Sequence, residues 1–267
     1  HQGLDAKAIP LAKSSLSTEF TLIQREAPYL LISDRNSFLK SFGSGSEMAF
    51  SYVLSGKAGR NLALFSRLNK QGLLEEIEKS QAQLSALSGP QRIFAQQLAL
   101  LTQQLSSKDI SIKYRQELTD KKEELERKLY RLLPALKPRV VEVYQVAKSI
   151  PSSGVLIEYQ RYQPYDSRKL KNTEWQEERY LALTLDSKGK VDAIDLGLAK
   201  PIEDTIQQAL IASERRLSNA QQLWNQVGGL VIKPLAEIIR DKEILFVSPD
   251  AELNRIPFAA LSSHKDD

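Results

Sequence analysis

The feature that most constrains this chain is a change of period at Pro134 and Pro138. Before it, apolar residues recur at helical spacing. Beyond it, they fall into short runs that alternate or are wholly apolar. Helical and strand periods cannot share one element, so residues 1–137 read as a helical connector region and 138–267 as an α/β region. The expected class is α+β or α/β, an N-terminal helical bundle followed by strands and helices.

Within the helical region, residues 1–15 lack clear periodicity and are expected to be a loose entry. A helix is expected from Ser17-Thr18-Glu19 to Pro28, and a second from about Tyr29 to Phe42. Gly43-Ser44-Gly45-Ser46 follows as a flexible joint, then a third helix carries Met48, Phe50 and Tyr52 up to Gly56. Leu62–Leu68 and Leu73 to Leu87 keep helical spacing until Ser88-Gly89-Pro90. The stripes Phe94, Leu98, Leu101, Leu105 and Ile110, Tyr114, Leu118, Leu125, Leu129 predict an antiparallel hairpin joined near Ser106-Ser107-Lys108-Asp109. Its charges alternate in sign from Asp120 to Lys128, the pattern of a solvated face laced by i,i+4 pairs. No period near 34 residues marks a tetratricopeptide array within the chain. Gly56-Lys57 falls short of a phosphate loop. Ser51 stands where the motif needs glycine and Ala58 where it needs Ser or Thr, so a helix break is the better reading.

In the second region a short helix or extended lead-in spans Val140–Ile150. Strands are expected at Val155–Tyr162, Arg179–Leu185 and Val191–Leu196, the last two as a hairpin around Asp186-Ser187-Lys188-Gly189. Gln163–Thr173 is a polar, basic surface loop. Helices follow from Pro201 and over about Asn219–Ile239, with Pro234 a bend. Ile244–Val247 is then an apolar run with the character of a strand buried on both faces, stopped by Ser248-Pro249-Asp250. Pro257 makes the knot Ile256–Leu261 a packed corner or helix start, since proline cannot donate to a central ladder.

That strand, its Ser-Pro-Asp turn, Leu253-Asn254 and Pro257-Phe258-Ala259-Ala260-Leu261 resemble the opening of the CHAT domain, the caspase-like domain that commonly follows tetratricopeptide repeats. The resemblance extends back through Leu156-Ile157-Glu158-Tyr159, Trp175, Arg179-Tyr180 and Val191 to Asp195-Leu196-Gly197, so it covers Val140 to Leu261. One departure is Asp250-Ala251, where the family often has Asp-Gly; alanine adopts a positive φ less readily than glycine. The resemblance implies a cysteine-peptidase fold whose His and Cys lie beyond later strands. This chain has no Cys, and its histidines, His1 and His264, sit in no motif. A thiolate activated by an imidazole is therefore impossible in it.

The expectation is a non-catalytic N-terminal portion of such a peptidase, inactive alone, linking upstream repeats to the peptidase site. The alternative is a helical protein-protein interaction adaptor with a small α/β cap. The opening His1-Gln2-Gly3 lacks a Met, so the natural start is expected to be missing. Protein partners are implied, namely the rest of its own chain and tetratricopeptide repeats, with an edge-strand dimer or a poorly ordered C-terminus if later strands are missing.

The net charge of +4 is mild for 267 residues and its cations are interleaved with Glu, which speaks against nucleic acid as a partner. No apolar run is long enough to span a membrane, and a cytoplasmic setting is expected. No catalytic, cofactor-binding or metal residues are assigned. Trp175 and Trp224 read as core anchors. Glu158 interrupts an apolar strand, and alternation puts it on the solvated face unless that face is covered. Arg161 and Arg179 read as surface partners of Glu177 and Glu178. Asp192 and Asp195, three apart on one strand, face opposite sides and do not form a carboxylate pair.

Overall fold

The computed structural model describes residues 2–30, 32–42, 44–107 and 110–261. The sequence-expected links at Gly43 and Lys108-Asp109, both histidines and the segment 262–267 lie outside the described residues. The helices are α1 (Gln2–Glu26), α2 (Ile32–Ser41), α3 (Gly45–Ser51), α4 (Gly56–Lys70), α5 (Leu73–Ser85), α6 (Gly89–Ser106), α7 (Ile112–Leu132) and α8 (Val143–Ser149). Strands β1 (Gly154–Tyr162), β2 (Arg179–Asp186) and β3 (Val191–Leu198) come next. Helices α9 (Ala199–Glu214), α10 (Ala220–Val231) and α11 (Ala236–Ile239) lead to β4 (Ile244–Ser248). This is an α+β chain: a helical N-terminal region, then a four-stranded mixed sheet with interleaved helices.

The chain divides into two compact units. One holds residues 14–44 and 69–140, the other residues 1–13, 45–68 and 141–267. In the helical unit, Ile23, Ala27 and Ile77 form a buried cluster with Phe38, Leu39, Phe42 and Leu73 against it. Ser111 caps α7 by accepting from the Tyr114 amide, and α6 and α7 pack as the expected hairpin.

Three expectations are corrected. Ile244–Val247, expected as a strand buried on both faces, lies at the edge of the sheet with Ile244, Leu245 and Phe246 exposed, because among the described residues no strand pairs with its far side. The segment before Ser17 is helical, because Ile9, Leu16, Phe20 and Ile23 make one buried stripe at spacings of a continuous helix that tolerates Pro10 on its exposed side. The α7 charges are not all solvated: Lys122 and Glu126 sit on the same face as Leu118 and Leu129 and are buried. Lys122 pairs with Glu26, and Glu126 accepts from Arg25 Nε at 2.8 Å. The surface pair Glu124–Lys128 is present as expected.

In the α/β unit the sheet order is β3-β2-β1-β4, with β1–β2 and β2–β3 antiparallel and β1–β4 parallel. Parallel pairing asks for a crossover, and α9 to α11 supply it. Val155, Ile157 and Tyr159 of β1 with Tyr180 and Ala182 of β2 pack on Ile202, Ile206 and Ala209 of α9 and Val227 and Val231 of α10. The buried Tyr159 hydroxyl donates to the Val231 carbonyl at 2.8 Å. Leu181, Leu183 and Leu185 point to the opposite face and are also buried. There α3 and α4 contribute: the Phe50 ring lies against Tyr162, and Arg60 Nε donates to the Val191 carbonyl. The sheet is thus covered on both sides, as its near-continuous apolar strands require.

Candidate functional site

The parallel strands β1 and β4 run side by side, so their carboxyl ends open together, the place where open α/β sheets build sites. Here the chain leaves β4 through Ser248-Pro249-Asp250 into the tight helical turn Ala251–Arg255. Ala251 enters that turn at φ +46°, so the departure from Asp-Gly seen in the sequence is met by an alanine held in the left-handed region. Leu253 and Ile256 anchor the turn in the core, and the Phe258 ring stacks on Tyr159 at 5.6 Å.

A single guanidinium ties this turn to the sheet. Arg67 of α4, almost fully buried, donates from Nε to Glu158 Oε2 at 3.0 Å and from Nη2 to the Pro249 carbonyl at 3.0 Å. Longer contacts reach Gln160 Oε1 at 3.4 Å, Ser248 Oγ at 3.5 Å and Asp250 Oδ1 at 3.5 Å. Asp250 Oδ2 in turn accepts from the Arg161 amide at 2.8 Å and Gln160 Nε2 at 3.0 Å. The rigid fork of arginine suits this convergence, since one planar group serves acceptors in several directions.

Sequence alternation placed Glu158 on the solvated face unless covered, and α4 covers it, leaving the residue 5% exposed. Burial pushes its carboxyl above the ordinary range, against the lowering pull of the Ser248 hydroxyl and the Arg67 charge, and nearby Asp250 adds to the rise. The cluster therefore sets one cation against two carboxylates. Its only hydroxyl, Ser248, donates to the Glu158 carboxylate, and no His or Cys stands among the described residues. Nor do His, Cys, Asp and Glu gather into a metal-binding group among them. What it can do is hold the β4 turn in register with α4.

The other singled-out residues are dispersed. Arg161 pairs with Glu178 and, at 3.0 Å, with Glu203 of α9. Arg179 takes Asp195 rather than a neighbouring Glu, at 2.7 Å, while Asp192 pairs with Lys190. Trp175 is half-buried against the Tyr165 ring at 5.0 Å, and Trp224 joins the edge of the main core while donating to Ser213 Oγ. Arg67 was missed by sequence reading. Its signal was weak: one arginine inside the apolar run Leu62–Leu68. Among the described residues no helix is long and apolar enough to cross a membrane.

Compared with known proteins, the chain matches no family model, and no curated protein or solved structure matches it either.

Proposed function

We propose that this chain is the non-catalytic N-terminal portion of a CHAT-type caspase-like cysteine peptidase of the cytoplasm, joining upstream tetratricopeptide repeats to a peptidase site carried further along. The observation that supports this best is the free edge of β4. Ile244, Leu245 and Phe246 are 42%, 39% and 43% exposed, on a strand that among the described residues pairs on one side only and is apolar on both faces. Such a strand has the composition of a sheet interior, and a bare apolar edge is a liability that chains ordinarily cover. A further strand laid on it would cover all three residues. In this reading that strand comes from later residues, and the Arg67 cluster carries displacements of α4 to the turn that leads there.

A second reading, the interaction adaptor, draws on the α6–α7 hairpin. A groove of about 400 Å³ there is lined by Leu100, Leu101 and Leu125 and rimmed by Lys121, Glu124 and Lys128, a surface suited to another helix.

The intact mass of the native product, read against its open reading frame, tests the proposal. The expected product is longer than this chain and carries one strand ending at a His and another at a Cys, with hydrolysis abolished by thiol alkylation. A native product ending at Asp267 overturns the peptidase reading and leaves the adaptor.

A further inference from the structure

The loop between β1 and β2 is built as a rigid finger. At its base the Gln176 amide donates to the Pro164 carbonyl and the Asp166 amide to the Glu174 carbonyl, both at 2.8 Å. Tyr165 and Trp175 form a bridge between them with their rings in tilted contact, and Ser51 Oγ accepts from the Tyr165 amide at 2.7 Å. At the tip the Lys169 amide donates to the Asp166 carbonyl, and the Thr173 amide and hydroxyl both donate to the Leu170 carbonyl. Asn172 takes the left-handed conformation at φ +72° that asparagine tolerates. The two Asp166 carboxylate oxygens accept from Nε and Nη2 on one edge of the Arg168 guanidinium, each at 2.8 Å, which holds its pKa down to about 2.

These bonds leave Lys169, Leu170 and Lys171 exposed, Leu170 to 81%. Neither lysine has an ion-pair partner among the described residues. Beside the finger lies a cavity of about 510 Å³, lined among others by Val53, Leu54, Arg60, Tyr165, Arg168 and Asp195. Leu54 is 94% exposed. Asp195 is already taken by Arg179, whereas Arg60 meets no carboxylate among the described residues.

We propose that finger and cavity form one docking surface for an acidic protein segment, an extended stretch carrying carboxylates on either side of an apolar residue. Three cations outside any ion pair among the described residues, Arg60 at the cavity and Lys169 and Lys171 on the finger, accompany exposed Leu54 and Leu170 and half-buried Val53. Complementary charge steers and orients a partner, and the cavity takes its apolar side chain. The pre-formed hydrogen bonds of the finger lower the ordering cost of binding. Nucleic acid fits less well, because the Tyr165 and Trp175 rings pack against each other at a 60° tilt, with neither laid flat as a platform for bases. The surface lies wholly on described residues and stands apart from the peptidase reading.

The test is fluorescence anisotropy on the whole chain with a labelled acidic peptide centred on leucine, alongside a single-stranded oligonucleotide and vesicles rich in anionic lipid. Saturable binding of the peptide is expected, weakened about tenfold or more by Lys169→Glu/Lys171→Glu and also by Arg60→Ala. Lys188→Glu/Lys200→Glu, with the same change in net charge, leaves it unaltered. The tip side chains are exposed, so the double variant keeps the parent melting temperature. Absence of saturable peptide binding, equal loss in the two charge-reversed variants, or tighter binding to oligonucleotide or vesicle than to peptide would overturn the proposal.

Discussion

Ala251 holds a backbone conformation that costs an L-residue roughly 1–2 kcal/mol relative to the right-handed region. Glycine relieves that strain but loses more chain entropy on folding, so Ala251→Gly is expected to stabilise by about 0.5–1 kcal/mol net. A higher urea midpoint with an unchanged slope is the readout; a lower midpoint would mean the alanine methyl makes contacts that outweigh its strain. Glu158 sets a second expectation. Its folded carboxyl holds a proton to higher pH than the unfolded one, so its contribution to stability is complete below the ordinary Glu value. That contribution declines as pH rises through the ordinary value to the raised one. Glu158→Gln should flatten this decline while its amide oxygen still accepts from Arg67. Arg67→Met leaves the buried carboxylate without its cation and should cost about 3–5 kcal/mol near neutral pH, part of it regained in combination with Glu158→Gln. Additive losses in the double variant would show that the two side chains do not act as a pair.

At the scale of elements, β4 is the exposed one. Its pairing with β1 is close: a Cβ on Gly154 would come within 3.2 Å of the Phe246 ring, so glycine there lets the ring lie over the neighbouring strand. Among the described residues the far edge has no such cover, and the chain alone should self-associate with rising concentration in light scattering. Ile244→Lys/Leu245→Lys should suppress that association with little change in melting temperature; a parent chain that stays monomeric throughout would count against the edge as the sticky element. The strands were legible in the sequence because their signals are local. Ile244–Val247 is an apolar run closed by a turn, and Arg179–Leu185 and Val191–Leu196 flank Asp186-Ser187-Lys188-Gly189. The start of α1 was not, since Pro10 and scattered polar residues mask a stripe that only packing completes. The buried pair of Lys122 and Glu126 was hidden for a related reason: an alternating charge pattern looks the same whether its partners lie on its own helix or on α1.

For the molecule as a whole, the change of period at Pro134–Pro138 marks where strands begin, but periodicity cannot tell which helices go with the sheet. Residues 45–68 belong to the same compact unit as 141–267, and the chain gives no local sign of it. The candidate site was illegible for that reason: Glu158 and the Ser248-Pro249-Asp250 turn stand out by themselves, while the side chain that unites them is 91 residues from the first and 182 from the Pro249 carbonyl. That separation bears on how the protein is made. At about 5–20 residues per second, α4 leaves the ribosome on the order of ten to forty seconds before Pro249 exists. For that interval the helix carries a guanidinium meant for burial and lacks the turn that completes its partners. Closing so long a loop is also entropically late, so the clamp is the final part of the α/β unit to assemble, and a nascent chain stalled before Ser248 would hold α4 open to chaperones.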